Sequence, residues 1–173
     1  MTLPPDVLAD LRTDHAGETG AVWMYRAVGA LSRDASARAF ASRHLATEQD
    51  HLRRIEAWLP APARSRLLPL WRVAGWITGA LPALLGPRAV YATVEAVESF
   101  VDVHYAEQIQ RLRGQPALQA LRQTLVECRA DECAHRDEAA SARGARPAGA
   151  LQQLWARIVH AGSQAAVAVC RHV

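Results

Sequence analysis

The sequence contains no lysine, and all 20 of its basic residues are arginine. Against 17 acidic residues this leaves a formal net charge of only +3. The arginines are scattered among acidic residues without interleaved aromatic side chains, a pattern that argues against nucleic-acid binding. Contact with an anionic lipid surface fits the same arginines at least as well.

Cysteine is scarce. The three cysteines, Cys128, Cys133 and Cys170, form no C-x-x-C pair, and an odd number argues against a disulfide framework. We therefore expect a reducing compartment. Residues 1–6 show neither a secretory signal nor a transit segment, so the predicted location is a bacterial-type cytoplasm.

No stretch alternates convincingly at period two, and helix-forming residues dominate a chain that is 50% apolar. These features predict an all-α fold, with residues 1–173 forming one domain. Proline, glycine and polar breaks divide the chain into five predicted helices and a long crossover at residues 60–86. The first predicted helix ends near Leu31, and the second starts near Ser36 and stops at Pro60. The third runs from Pro87 to Gly114, and the fourth runs from about Pro116 to residues 141–144. The last follows Pro147 and runs from about Ala148 to Arg171.

One pattern of metal-ligand residues occurs twice. In each copy a glutamate is followed, beyond a break, by a Glu-x-x-His step. That step places a carboxylate and an imidazole about one turn apart on the same helix face. The single glutamates also lie in apolar helical stretches, where an unpaired charge would be costly. The six candidate ligands are Glu18, Glu48, His51, Glu98, Glu132 and His135.

The spacing of these ligands is typical of two antiparallel helical hairpins. The midpoint of the first pair of glutamates falls in the polar break at residues 32–34, and that of the second pair in the breaker at residues 114–116. If both breaks are turns, all six ligands meet at one level of a ferritin-like four-helix bundle. A lone Glu-x-x-His would indicate only a solvated helix face, but the repeat predicts a di-iron centre with two Fe ions. By ligand type alone, four carboxylates with two imidazoles favour Fe or Mn.

Polar residues near the candidate ligands repeat as well. Tyr25 follows Glu18 by seven residues and Tyr105 follows Glu98 by seven, so each lies two turns along its helix face. Each tyrosine is expected either to hydrogen-bond a ligand carboxylate or to be a core residue with a satisfied hydroxyl. Asp14, one turn before Glu18, could orient a ligand histidine, pair with a nearby arginine or stabilise the helix start.

The crossover carries a second functional signal. Residues 73–87 contain no charge, but they are fewer than the about 20 apolar residues that a membrane span needs. Arginines flank them, and Trp71 and Trp76 suit a lipid interface. We expect the crossover to contact a membrane surface; the alternative is an apolar lid that only packs on the bundle. The last helix is expected to be core or the surface of a homodimer.

Short segments of this chain occur in the order known from one enzyme family: residues 14–21, 48–52, 69–71, 84–86, 96–98, 104–105 and 131–135. From about Leu11 to the C-terminus, the chain resembles the demethoxyubiquinone hydroxylases. The resemblance implies the same six iron ligands that the spacing selects. Thr19 stands where family members usually have an aromatic residue, and Ser99 where they often have a second acidic one.

The resemblance also implies an activity. A member of this family would be a di-iron monooxygenase that uses O2 to hydroxylate demethoxyubiquinol, a polyprenyl benzoquinol, to demethylubiquinol in ubiquinone biosynthesis. It would work on the cytoplasmic face of the bacterial inner membrane, with other ubiquinone-biosynthesis proteins as candidate partners. His104 and Tyr105 are expected to tune the reaction without holding metal.

Two other classes of protein fit part of this pattern. A ferritin- or rubrerythrin-like iron oxidase or peroxidase shares the ligand set, but rubredoxin-type cysteines are absent and the apolar crossover would serve no purpose. A non-enzymatic, membrane-associated scaffold would not need six ligands. No Gly-rich dinucleotide fingerprint is present, so electrons would come from a partner, from the quinol itself, or from NADH bound without a Rossmann unit.

Overall fold

A computed structural model describes residues 3–145 and 149–173. Within these ranges the chain forms six α-helices, two 3-10 turns and no strand, so the predicted all-α class is confirmed. Pro147 and Ala148, where the last helix was predicted to start, lie outside the described residues. The elements are α1 (Pro5–Leu31), α2 (Ala35–Glu56), α3 (Leu68–Leu85), α4 (Pro87–Arg111), α5 (Gln119–Arg143) and α6 (Ala150–Cys170), with 3-10 turns at Ala61–Ala63 and Pro116–Leu118.

The breaks between the helices have local causes. Asp34 caps α2 by accepting a hydrogen bond of 2.8 Å from the backbone N–H of Ala37. Gly86 ends α3 and precedes α4 with φ of +111°, a conformation that side chains with a Cβ rarely adopt. Residues 32–34 separate α1 from α2, and Gly114, with φ of +72°, lies between α4 and α5. Both predicted hairpin turns therefore lie where the breaks in the sequence indicated.

The helices form a bundle of two hairpins. α1 packs against α2 and α4 against α5, while α3 packs on α1 and α6 on α4. Two apolar clusters fill the interior, one around Leu11 and Leu121 and the other around Met24 and Phe40. Because the ligand positions in α1 and α2 lie between these clusters along the chain, the ligands occupy a polar layer with an apolar layer on each side.

The crossover is itself a helix, α3, which the sequence pattern did not indicate. Its inner face lies directly on α1, because a Cβ added to Gly75 or Gly79 would overlap the backbone of Gly20 or Met24. Among the described residues, α3 is the one helix whose length and composition alone would suffice to cross a bilayer, and 22% of it is buried. Its packing against α1 places it along the bundle.

The contact between α3 and α1 gives a prediction for stability. Gly79→Ala should lower the free energy of unfolding by about 1–3 kcal/mol, since the new methyl group must push α3 away from the carbonyl of Met24. Gly29→Ala is the matched control, because an added Cβ there meets no atom within 4 Å among the described residues. The control should gain up to about 1 kcal/mol from helix propensity. Urea unfolding of both variants measures the difference, and equal stability would contradict the close packing.

Candidate metal centre

The structure brings all six predicted ligand residues together in the polar layer of the bundle. Each of the four hairpin helices contributes a glutamate, and α2 and α5 each add a histidine. All six residues are buried, with exposures of 4% or less. By helix, they are Glu18 of α1, Glu48 and His51 of α2, Glu98 of α4, and Glu132 and His135 of α5.

The ligand atoms form two groups of four, and within each group all of them lie within 4.8 Å of one another. Glu48 and Glu132 belong to both groups, and each group adds a glutamate and a histidine of its own. Buried glutamate and histidine side chains grouped in this way could hold metal. The groups are Glu18, Glu48, His51 and Glu132, and Glu48, Glu98, Glu132 and His135.

Unsatisfied atoms in this layer indicate that it suits a cation. Among the described residues, neither carboxylate oxygen of Glu48 has a hydrogen-bond partner, nor does Oε2 of Glu132 or Nδ1 of His135. Nδ1 of His135 approaches Oε1 of Glu48 at 3.1 Å, but without the alignment of a hydrogen bond. Because a buried polar atom without a partner costs about 1–3 kcal/mol, these atoms fit ligands of a metal better than structural groups.

The electrostatics of the layer follow from its burial. Burial, and then repulsion from Glu132, raise the pKa of Glu48 and Glu98 well above the ordinary carboxyl value. Burial alone would lower the pKa of His51, but hydrogen bonds with Glu132 and Glu18 raise it to about 12. The layer therefore retains protons that a metal ion would have to displace.

Removal of metal should consequently make stability depend on pH. A group with a raised folded pKa stabilises the protein fully below its unfolded pKa, and this stabilisation is lost as pH rises through the folded pKa. Glu48, Glu98 and His51 all act in this direction, and the pKa of His51, about 12 against an ordinary 6.5, sets the pH range. The unfolding temperature of chelated protein should therefore fall from about pH 7 to about pH 9. His44, whose pKa is lowered to about 4 mainly by burial, titrates below this range. Metal-loaded protein should show a smaller fall, and a flat profile after chelation would contradict the assignment.

Both tyrosines cross the bundle to a ligand on the other hairpin. The hydroxyl of Tyr25 donates to Oε1 of Glu98 at 3.0 Å, and that of Tyr105 donates to Oε1 of Glu18 at 2.5 Å. Both rings are buried. The sequence left a carboxylate partner and a core position open for each tyrosine. It could not indicate which carboxylate, since the spacing within one helix says nothing about the neighbouring helix.

Loss of the Tyr105 hydroxyl should slow turnover and spare the metal. Tyr105→Phe removes one donor to Glu18 while all six ligands remain, and the expected loss is about 10–100-fold in kcat. Tyr91→Phe is the control, because Tyr91 is also buried in α4 but packs against Phe40. Metal analysis with steady-state kinetics tests this prediction. Complete loss of metal from Tyr105→Phe would mean that Tyr105 is itself a ligand.

Two residues beside the ligand histidines were missed by the sequence pattern. Nε2 of His51 lies 3.1 Å from Oδ2 of Asp131, while its Nδ1 faces the ligand carboxylates. A carboxylate in that position fixes the orientation of a ligand imidazole. The ring of His44 lies 4.0 Å from that of His135. Neither contact could be read from spacing, because each joins α2 to α5.

Asp14 orients neither ligand histidine, so that expectation was wrong. Its Oδ1 accepts a hydrogen bond of 2.6 Å from Nε2 of Gln108 and lies 3.2 Å from Nε2 of His104. The nearby arginine, Arg12, instead donates to the backbone carbonyl of Ala63. Asp14 and His104 thus form a separate polar group between α1 and α4.

A cavity of about 530 Å³ connects the ligand layer to the surface. Residues of α1, α3, α4 and α6 line it, together with Glu48 of α2 and Glu132 of α5. Ile77 of α3 and Ile158 of α6 line the cavity and are also 48% and 52% exposed, so both lie where the cavity opens to the surface. The walls are largely apolar, and the glutamates that line the cavity are Glu18, Glu48, Glu98 and Glu132.

Known proteins are similar to this chain over most of its length. A family model described as ubiquinone biosynthesis protein COQ7 matches residues 7–170. The chain belongs to this family. Among members of the COQ7 family, the 3-demethoxyubiquinol 3-hydroxylase of Rhodospirillum rubrum is 41% identical over 175 residues, covering 98% of this chain and 80% of the relative.

Two further COQ7 relatives extend the comparison. The 3-demethoxyubiquinol 3-hydroxylase of Verminephrobacter eiseniae is 36% identical and covers 82% of this chain and 65% of its own length. The mitochondrial NADPH-dependent 3-demethoxyubiquinone 3-hydroxylase of Rattus norvegicus is 34% identical, and the match covers 91% of this chain and 73% of the relative. The family resemblance indicated by the sequence motifs is confirmed.

Proposed function

We propose that this COQ7-family protein is a monooxygenase that hydroxylates the ring of demethoxyubiquinol to demethylubiquinol in ubiquinone biosynthesis. The observation that carries the proposal is the apolar cavity, which begins at the surface and ends at a buried layer of metal-type ligands. The hydroxylase names of the relatives support the same reaction. The proposed ligands of two Fe ions are Glu18, Glu48, His51, Glu98, Glu132 and His135.

In this reaction a ring C–H bond becomes C–OH, one atom of O2 enters the product, and the other leaves as water after two electrons and two protons are added. Two ferrous ions, when bound, supply the two electrons and activate O2. Glu48 and Glu132, which belong to both groups of ligand atoms, would help to hold both ions. The hydrogen bonds from Tyr25 to Glu98 and from Tyr105 to Glu18 restrain these two glutamates. The apolar walls of the cavity keep water away from the reacting ring.

We also propose that the protein binds peripherally to a membrane through α3. The outer face of this helix is apolar and open, while its inner face packs on α1. Exposed Arg66 and Arg72 lie near one end of it, where they would attract anionic lipid. The outer residues Leu70, Val73, Ile77, Leu81 and Leu84 are 47–70% exposed.

The cavity mouth supports this orientation. With Ile77 and Ile158 against the bilayer, a quinol ring can enter the cavity while its polyprenyl tail remains in lipid. Of the two tryptophans expected at the interface, Trp71 lines the cavity, and Trp76 packs edge-on against Trp23 with the ring centroids 6.2 Å apart. Aliphatic side chains therefore provide the proposed lipid contact.

The iron oxidase or peroxidase alternative finds less support. Such an enzyme needs a polar route for ions or a second redox group, whereas the walls of this cavity are mainly apolar. Cys128 and Cys170 are buried at separate positions and do not form a rubredoxin-type site. A homodimer through the exposed apolar residues of α6 stays a prediction.

Product analysis tests the function directly. Iron-loaded protein, a reductant and a short-tailed demethoxyubiquinol should yield the ring-hydroxylated quinol, and isotopically heavy O2 should place one heavy oxygen on the ring. Consumption of O2 with oxidation of iron but no hydroxylated product would support the oxidase alternative instead.

A further inference from the structure

The cavity contains a buried carboxyl group that the metal site does not use. Asp14 lines the cavity one helical turn before Glu18 and is only 4% exposed. A residue four positions earlier in a helix lies about 6 Å further along its axis. This offset is comparable to the width of one benzoquinol ring with its two oxygens, so a ring lying between Asp14 and the ligand layer could meet both.

The two oxygens of Asp14 have different surroundings. Oδ1 accepts a hydrogen bond from Gln108 and lies against His104, at 2.6 Å and 3.2 Å respectively. Oδ2 has no hydrogen-bond partner among the described residues. Gln108 is itself buried, so Oδ1 is held in place, and Oδ2 is the oxygen of this cavity-lining carboxyl that lacks a partner.

The surroundings also make Asp14 a good acceptor. Burial raises the pKa of the Asp14 carboxyl, while hydrogen bonds with His104 and Gln108 oppose that increase. The contacts with His104 and Gln108 favour the ionised carboxylate, and a hydrogen bond to an ionised acceptor is stronger than one between neutral groups. A buried acceptor without a partner also discriminates strongly between ligands that supply a donor and ligands that do not.

The geometry points to Asp14 Oδ2 as the acceptor for one hydroxyl group of the quinol, so that the cavity selects the reduced ring over the oxidised quinone. This inference rests on the proposed function and adds a residue that determines specificity. A quinol offers O–H donors, whereas the carbonyl oxygens of the quinone can only accept and would face the carboxylate unfavourably. Relatives are named for both redox forms of the ring, and this contact would commit the present chain to the quinol.

Redox-inert ligands provide the test. The probes are three ethers of the short-tailed quinol. Two are the monomethyl ethers, in which one or the other hydroxyl group is methylated, and the third is the dimethyl ether, in which both hydroxyl groups are methylated. Trp71 and Trp155 line the cavity, so quenching of tryptophan fluorescence reports binding. The wild-type protein should bind the better monomethyl ether about tenfold more tightly than the dimethyl ether, the size expected for one hydrogen bond to a charged group.

Asp14→Asn keeps the size of the side chain but replaces one acceptor by an N–H donor. This variant should lose the preference for the monomethyl ether, with little loss in binding of the dimethyl ether. Asp102→Asn is the matched control, since Asp102 pairs with Arg129 on α5 and does not line the cavity. The control should keep the wild-type preference, and circular dichroism with metal analysis confirms that both variants are folded.

The outcomes separate the two proposals. Equal wild-type binding of all the ethers, or an unchanged preference in Asp14→Asn, overturns the role of Asp14 and leaves the proposed function standing. Failure of the wild-type protein to bind any of the rings overturns both. Equal wild-type binding of all the ethers overturns the role of Asp14 even if the asparagine variant does not fold.

Discussion

Glu132→Ala is expected to abolish both metal binding and hydroxylation while most of the helix content remains. Glu132 belongs to both groups of ligand atoms, and its two oxygens lie 3.0 Å from Nδ1 of His51 and 3.2 Å from Nδ1 of His135. Its loss would therefore open both metal positions at once. The apolar clusters on either side of the layer are unchanged by the substitution, so the bundle should stay folded.

Glu127→Ala is the matched control for this experiment. Glu127 lies on the same helix, but it is exposed and pairs with Arg54 at the surface. Metal content, circular dichroism and turnover should all match the wild-type values, because exposed ion pairs contribute little to stability. Full activity of Glu132→Ala would contradict the assigned centre. A loss of helix content in this variant as large as its loss of bound metal would contradict the assignment as well.

The second large effect is expected at the membrane. Leu81→Glu combined with Leu84→Glu places two charges on the outer face of α3, where these leucines are 47% and 70% exposed. Each charge is opposed by about 2.5–3.5 kcal/mol at the depth of the bilayer centre, and by less near the headgroups. Association with liposomes and turnover of a long-tailed quinol should therefore fall together. Neither side chain lines the cavity that reaches the ligand layer, so a short-tailed quinol should react almost normally.

Leu151→Glu combined with Leu154→Glu serves as the comparison on α6. These leucines are 70% and 53% exposed, so the charges again replace accessible apolar groups. Liposome sedimentation measures both double variants. If the α3 variant sediments like the wild type and the α6 variant does not, the anchor is α6, and α3 is only a packed lid.

The sequence predicted the features that repeat along one helix. A Glu-x-x-His step fixes the relative direction of two side chains regardless of what surrounds the helix, and a glycine or proline ends a helix for local steric reasons. The bundle, its turns and the convergence of Glu18, Glu48, Glu98 and Glu132 follow from these local rules. Two copies of the pattern with similar spacing made the convergence predictable.

Contacts between helices were not predictable in the same way. The pairing of Asp131 with His51 and that of Asp14 with Gln108 depend on how two helices are rotated against each other, and no spacing within one helix contains that angle. The helical state of the crossover was missed because glycine and proline usually mark breaks. In α3 the glycines instead permit direct contact with α1, and this tertiary packing outweighs their low helix propensity.

The central claim is that two metal ions share this layer, and anaerobic titration of chelated protein with ferrous ion tests it most directly. Two irons should bind per chain, as expected for four carboxylates and two imidazoles, and Glu132→Ala should bind neither tightly. Saturation at one iron per chain, or binding of two irons that persists in Glu132→Ala, would contradict the account.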